Sequence, residues 1–335
     1  MTVRRRSAPA TLIAVGALLA ALAASLLIGA RPTAPAEVVA VLFAGPDAVG
    51  HGGDLGHVVW DLRVPRTLLA LAVGASMAMA GAIAQSWTRN PLADPGIIGI
   101  TAGAGLAVAV GLTLGVTGAV ARAPLAVLGA AVAALIVFGA TRASADPLTL
   151  ILVGVGASAA FTAATTLLAL QSNAVLDGMR QWTVGTLAGK GTGDVVLAAV
   201  GFAAGGAVAA VAARSMDLLA MGDDAAAGLG ASPGVTRAAM LAAIVVLAGA
   251  ATGAVGPIAF VGFAAPHLAR TWSGPSLVRL LPAAAVAGAA LTLFADVVGR
   301  VIARPGEVEV SVVLALVGAP LFILAVRKGG SDVRS

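Results

Sequence analysis

The sequence predicts an all-α, polytopic membrane protein with about ten transmembrane helices and both termini in the cytoplasm. Two observations lead there. Apolar residues make up 59% of the 335 residues and charged residues only 10%, too few charges to coat a soluble domain of that length. The apolar residues also gather into nine runs of sixteen or more positions without Asp, Glu, Lys or Arg. About 20 apolar residues cross a hydrocarbon core as a helix, because backbone groups there must bond to one another. A buried helix of a soluble core could explain one such run, but not nine.

In order, the runs are Thr11–Ala30, Thr67–Thr88, Pro95–Ala121, Ala123–Thr141, Pro147–Leu176, Val195–Ala213, Ala238–Pro266, Leu280–Ala295 and Val310–Val326. The first follows "RRRSAP" and has the charged start of a signal peptide, but its apolar body is of span length, which predicts an uncleaved first helix over 11–30. The seventh has 29 residues, ~44 Å as one helix. "GAVGP" (Gly253–Pro257) interrupts it, so it reads as a full span followed by a short or partly re-entrant one, which brings the count to ten. With the N terminus inside, Arg31, Arg63, Arg66, Arg122, Arg180, Lys190, Arg300 and Arg304 fall outside and the other basic residues inside. The inner excess has the sign of the positive-inside rule. The outer arginines run against it and need a reason of their own.

Several chemistries drop out. The chain has no Cys, which excludes disulfides and thiolate metal sites. Its basic residues form no stripe and no aromatic platform accompanies them, so no nucleic-acid partner is expected. "GTLAGKGTGD" (Gly185–Asp194) departs from a phosphate loop in spacing and final residue. "GVGASAA" (Gly154–Ala160), like "GASMAMAG" (Gly74–Gly81) and "GITAGAG" (Gly99–Gly105), reads as a face on which helix backbones approach closely. His51, His57 and Asp54 lie in a Gly-rich loop and read as solvated. His267 and Arg270 read as helix-end residues.

Motifs then narrow the class. Arg63, Pro65 and Arg66 precede Gln85 and "NPLADPG", with Asn90, Pro91, Leu92, Ala93 and Pro95. Trp182 and Gly185 follow, then "GPIAFVGFAAPHLAR" (Gly256–Arg270), and then Ala295, Asp296, Arg300, Glu307, Gly318, Pro320 and Phe322. In order and over nearly the whole chain these resemble the permease family of bacterial binding-protein-dependent ABC importers for iron-siderophores, haem and cobalamin (FecCD type). The chain departs from the family pattern after Glu307, reading "EVEVS" with Glu309 and Ser311 where the family has Pro and Gly.

The resemblance implies a single permease domain over 1–335 in the bacterial plasma membrane, paired with a second copy or a sibling permease. A cytoplasmic ABC ATPase dimer would work it and an extracytoplasmic substrate-binding protein would load it. No cofactor is implied in this chain; ATP and Mg would sit on the ATPase, so the chain is not itself an enzyme. The expected cargo is an iron(III)-siderophore complex, with cobalamin or haem as the alternative. A rival of another class, an ion-gradient transporter, requires an acid or His at mid-span. The uncharged runs hold none, and Asp296 comes nearest, at a span end.

"LLAMGDDAAAGLGASPGVTR" (Leu218–Arg237) breaks the apolar pattern inside the loop 214–237. Aspartates suit a helix start, alanines a short helix, and glycines its end. By resemblance it is the coupling helix that seats in the ATPase, through Gly222, Asp223, Asp224, Ala225, Ala227, Leu229 and Gly230. The resemblance likewise makes Arg63 and Arg300, helped by Arg66, the docking arginines for the binding protein. Long basic side chains that merely snorkel to the interface are the competing explanation. Asp296 and Arg300, four apart, are expected to pair when no partner is bound.

Overall fold

The computed structural model describes residues 7–46, 54–116, 118–140 and 147–320. Among these, every regular element is a helix. The chain runs α1 (Ser7–Leu27), α2 (Pro35–Ala44) and α3 (Asp54–His57), which continues through a π-helical stretch, Val58–Arg63, into α4 (Val64–Thr88). A 3-10 turn at Pro95–Ile98 leads to α5 (Ile100–Thr113), followed by α6 (Ala119–Ala140), α7 (Pro147–Gln171) and α8 (Asn173–Val184). Then come α9 (Thr192–Leu219), the short α10 (Asp223–Gly228), α11 (Pro233–Val255), α12 (Val261–Ser273), α13 (Leu277–Ile302) and α14 (Val310–Pro320). The terminal arginines, Arg142 and His51 lie outside the described residues.

Seven of the described helices are long and apolar enough to cross a membrane. Of the shorter helices, α2, α5 and α14 are apolar, while α12 carries His267 and Arg270; the ten of the sequence reading count α5, α12 and α14 as short spans beside the seven. The break at "GAVGP" is real: α11 ends at Val255, and Gly256 at φ 86° turns the chain toward α12. Two runs read as single spans are divided. Gly99, at φ 83°, separates the 3-10 turn from α5, and α7 stops at Gln171 before the amphipathic α8. The sequence reading also has no counterpart for α2, whose ten residues are too short to span and include Glu37.

The helices fall into two packing groups. α4 is the centre of the larger, with α9, α11, α12 and α13 around it and α1 against α13. The smaller contains α5, α6, α7 and α8, joined to the first mainly through α11. Burial is greatest at the centre of the larger group: 83% of the apolar stretch of α4 is buried, against 6% for the peripheral α1 and α7.

Close packing in the larger group rests on missing side chains. Between lipid-soluble helices there is no hydrophobic drive to associate, so tight van der Waals contact has to supply it. Gly74 of α4 lies on the Gly288 carbonyl of α13, and Gly81 of α4 on the Gly262 carbonyl of α12. Gly103 of α5 meets Gly129 of α6 in the same way. Two of the three small-residue strings thus form helix contacts. The third does so only in part: on α7, Gly154 is buried, but a side chain at Gly156 would meet open space and Ala159 and Ala160 are exposed.

A Gly81→Val substitution drives two methyl groups into the Gly262 backbone. It is expected to cost ~1–3 kcal/mol and to lower the thermal unfolding midpoint in detergent. Gly16→Val, where nothing lies within 4 Å, is expected to leave that midpoint unmoved.

Candidate functional site

Three of the outer arginines of the sequence reading, Arg63, Arg300 and Arg304, gather at the end of α1 and donate to backbone carbonyls there. α1 ends at Leu27, and a helix end leaves its last carbonyls without intrahelical partners. Arg63 Nη1 donates to the Leu26 and Leu27 carbonyls, both at 3.1 Å, and Nη2 reaches Arg31 O and Thr33 Oγ1. Arg300 Nη1 donates to Ser25 O at 2.7 Å and Ile28 O at 3.2 Å, while Arg304 donates to Gly29 O at 2.7 Å. Cations suit a helix C-terminus for reasons of dipole as well as bonding. Arg63 and Arg300 are accordingly only 4% and 2% exposed.

Arg66 is placed differently. Its guanidinium donates twice to Asp296 Oδ1, at 3.0 and 2.7 Å, and once to Glu307 at 2.7 Å. Asp296 also accepts from Arg300, so the pair expected from their spacing forms. One carboxylate, 1% exposed, thus joins α4 to α13 through two guanidiniums. Arg66 keeps 14% exposure and Glu307 30%. Near the departure from the family pattern, Val308 N–H bonds the Gly299 carbonyl and the Ser311 hydroxyl donates to Val184 O, which hold the start of α14 in place. His57 bonds Asp61 at 2.8 Å. Among the described residues no cluster of His, Asp or Glu could hold a metal.

At the opposite end three sequence motifs meet. Gln85 donates to the carbonyls of Gly262 and Phe263 and accepts from Arg270. His267, beside it on α12, stacks on Phe263 with ring centroids 6.0 Å apart. In the turn after α4, Asn90 Oδ1 accepts from Leu92 N, and Asp94 Oδ1 from Gly96 N. Asp94 Oδ2 is enclosed without a partner, and burial pushes this carboxyl above the usual carboxylate range against the pull of the Gly96 N–H.

The polar stretch between α9 and α11 also lies at this end. Gly222 and Gly230, at φ 105° and 86°, bracket α10 in conformations that favour glycine. Ala226 is buried against the bundle, while Ala225, Ala227 and Leu229 face outward, Leu229 at 62% exposure. Asp223 is held by Arg237 of α11 at 2.7 Å, and Asp224 is exposed. The result is a rigid knob with a small apolar face. Two residues the sequence reading did not single out fix its base: Asp217, in the last turn of α9, and Arg89, just after α4. Asp217 accepts from Leu277 N and Ser276 Oγ, both at 2.6 Å, and Arg89 donates to Leu219 O at 3.1 Å.

Residues 17–328 match the FecCD transport family. Similar sequences include the ferric enterobactin transport system permease protein FepD of Escherichia coli (strain K12), 41% identical over 93% of this chain and 92% of that one. The cobalamin import system permease protein BtuC of Halobacterium salinarum is 35% identical over 88% of this chain and 79% of its own. A solved structure of a metal-chelate type ABC transporter in an inward-facing conformation superposes with a TM-score of 0.83 at 28% identity, covering 96% of this chain and 99% of that one.

The Asp296 carboxylate is the discriminating position in the arginine cluster. Asp296→Ala leaves two enclosed guanidiniums short of a counter-ion and is expected to cost ~3–5 kcal/mol. Glu307→Gln, at the rim, is expected to cost ~1 kcal/mol or less. Thermal unfolding of the two variants in detergent checks the order.

Proposed function

The chain belongs to the FecCD transport family, and from that premise we propose that it is the membrane-spanning subunit of an ABC importer for iron-siderophore chelates, worked by ATP hydrolysis on partner subunits. Support for an iron chelate comes from relatives such as the enterobactin permease; a cobalamin permease is among the relatives too, at lower identity. The chain contributes a pathway and its movement, with no bond chemistry of its own. ATP and Mg belong to the ATPase dimer, and the membrane is the bacterial plasma membrane, with both termini on its cytoplasmic side.

The observation that carries the reading is α10. A six-residue helix bracketed by two positive-φ glycines, seated on the bundle through Ala226 and with an outward face of Ala225, Ala227 and Leu229, suits a groove on another protein. We assign that groove to the ATPase, and assign Gly222, Asp223, Asp224, Ala225, Ala227, Leu229 and Gly230 to the contact. The arginine end, across the bilayer, then receives the substrate-binding protein. Arg63, Arg66 and Arg300 build that platform with unequal roles. Arg63 and Arg300 fix the α1–α2 turn from beneath, and Arg66, with its exposed edge, is the one a partner carboxylate reaches.

The open face of α7 supports a second permease copy. Ser158, Thr162 and Thr166 line a shallow groove there, with Leu167 and Leu170 beside them, on a helix that its own chain hardly covers. Hydroxyls facing lipid find few partners beyond their own backbone, whereas facing a twin across a wet pathway they can bond water and cargo. α7 belongs to the smaller packing group, so rocking of the two groups about their α11 contacts would alternate access to that pathway.

Two measurements check this reading. Proteoliposomes holding the chain and its ATPase are expected to take up ferric siderophore only with ATP and the binding protein present. Uphill uptake by the chain alone on a proton or sodium gradient would overturn it. Leu229→Asp is expected to weaken capture of the ATPase by about tenfold or more with thermal unfolding unchanged, and undiminished capture would remove the α10 assignment.

A further inference from the structure

Two helices reach both ends of the bundle and are joined at three heights. At the arginine end, Arg66 of α4 and Asp296 of α13 pair at 2.7 Å. Near mid-length, Gly74 and Gly288 put the two backbones in contact, with Thr292 against Gly74. At the far end both helices stop on one structure, the last turn of α9. Asp217 there accepts the backbone N–H of Leu277, the first residue of α13, and the hydroxyl of Ser276. Two residues on, Leu219 O accepts from Arg89, which closes α4 in the left-handed conformation at φ 50°.

The chemistry at this joint is specific. The first N–H groups of a helix lack intrahelical acceptors and its dipole favours an anion. Ser276, the residue in the capping position, makes no cap bond with its own side chain. The cap of α13 is therefore supplied by a different helix. Both bonds at 2.6 Å are charge-assisted in length. After Leu219 only Ala220, Met221 and Gly222 intervene before α10. A force on α10 thus reaches the turn that grips the ends of both long helices, as it reaches α11 through Asp223 and Arg237.

We infer that Asp217 is the positioning residue through which displacement of α10 is passed to α13 and, with Arg89 acting on α4, to the Arg66–Asp296–Glu307 cluster at the other end. α4 and α13 form one strut ~39 Å long at 1.5 Å per residue. Its halves touch backbone to backbone, so neither helix can slide past the other without collision. The joint works in both directions: a partner that disturbs Arg66 moves the end of the strut that Asp217 holds. This inference rests on the importer reading, in which α10 seats in the ATPase.

The test uses the importer reconstituted with its ATPase and binding protein, and reads the ratio of ATP hydrolysis with and without the binding protein. Asp217→Ala is expected to assemble and to keep basal hydrolysis within about twofold, while the stimulated ratio falls about fivefold or more. Asp217→Asn keeps an acceptor for the Leu277 N–H and is expected to recover most of the ratio. A purely structural role would lower assembly and both rates together and leave the ratio unchanged, which overturns the inference. If Asp217→Ala does not assemble, the double variant Ser276→Ala with Arg89→Ala, which retains the Leu277 cap, has to lower the ratio; an unchanged ratio there also overturns it. Wild-type hydrolysis that ignores the binding protein would instead overturn the importer reading, and that failure is visible without any variant.

Discussion

The backbones of α4 and α13 meet with no side chain between them, and the rest of the molecule depends on that contact. In lipid the usual reason for apolar surfaces to join is absent, so helices associate where their atoms fit most closely and where polar groups find partners. Gly74 and Gly288 allow the approach. At that separation Arg66 on one helix donates two of its three bonds to the Asp296 carboxylate on the other. Steric fit at mid-length and charge at the end therefore reinforce one another. α12 adds to the same core through Gly262 on Gly81, with Gln85 fixing the two carbonyls that begin α12.

A second constraint explains the charges that run against the positive-inside trend. Every backbone group in or near the hydrocarbon needs a partner, and the end of α1 offers carbonyls that its own helix cannot use. Arg63, Arg300 and Arg304 supply donors from three places far along the chain. Their position is thus a consequence of helix termination as much as of any partner above. Arg66 stands apart because its bonds go to carboxylates, one of them at the rim. The far end repeats the theme with opposite sign, where Asp217 meets the bare N–H of Leu277 at the start of α13.

Much of this was legible beforehand. Uncharged runs located the spans, "GAVGP" marked the break before α12, and "GDDAAAGLG" marked a short helix bracketed by glycines. These are local signals, carried by residues within a few positions of one another. What escaped the sequence are the long-range partners. Asp217 caps a helix sixty positions away, Arg89 reaches Leu219, and Arg63 reaches back to the end of α1. Nothing in their neighbourhoods distinguishes them from solvated charges. The burial of Arg63 and Arg300 escaped for the same reason. The string on α7 misled in part because its small residues predict a neighbour that a single chain does not provide.

The strut is the central claim, and the chain is well suited to a direct measurement, since it has no Cys and introduced pairs will be its only thiols. Leu68 on α4, Phe294 on α13 and Leu152 on α7 are all exposed and can carry spin labels. Between the nucleotide-free importer and the importer with an ATP analogue bound, the Leu68–Phe294 distance is expected to hold within ~2 Å. The Phe294–Leu152 distance is expected to change by more. A Leu68–Phe294 distance that shifts as much as the second pair would contradict the account.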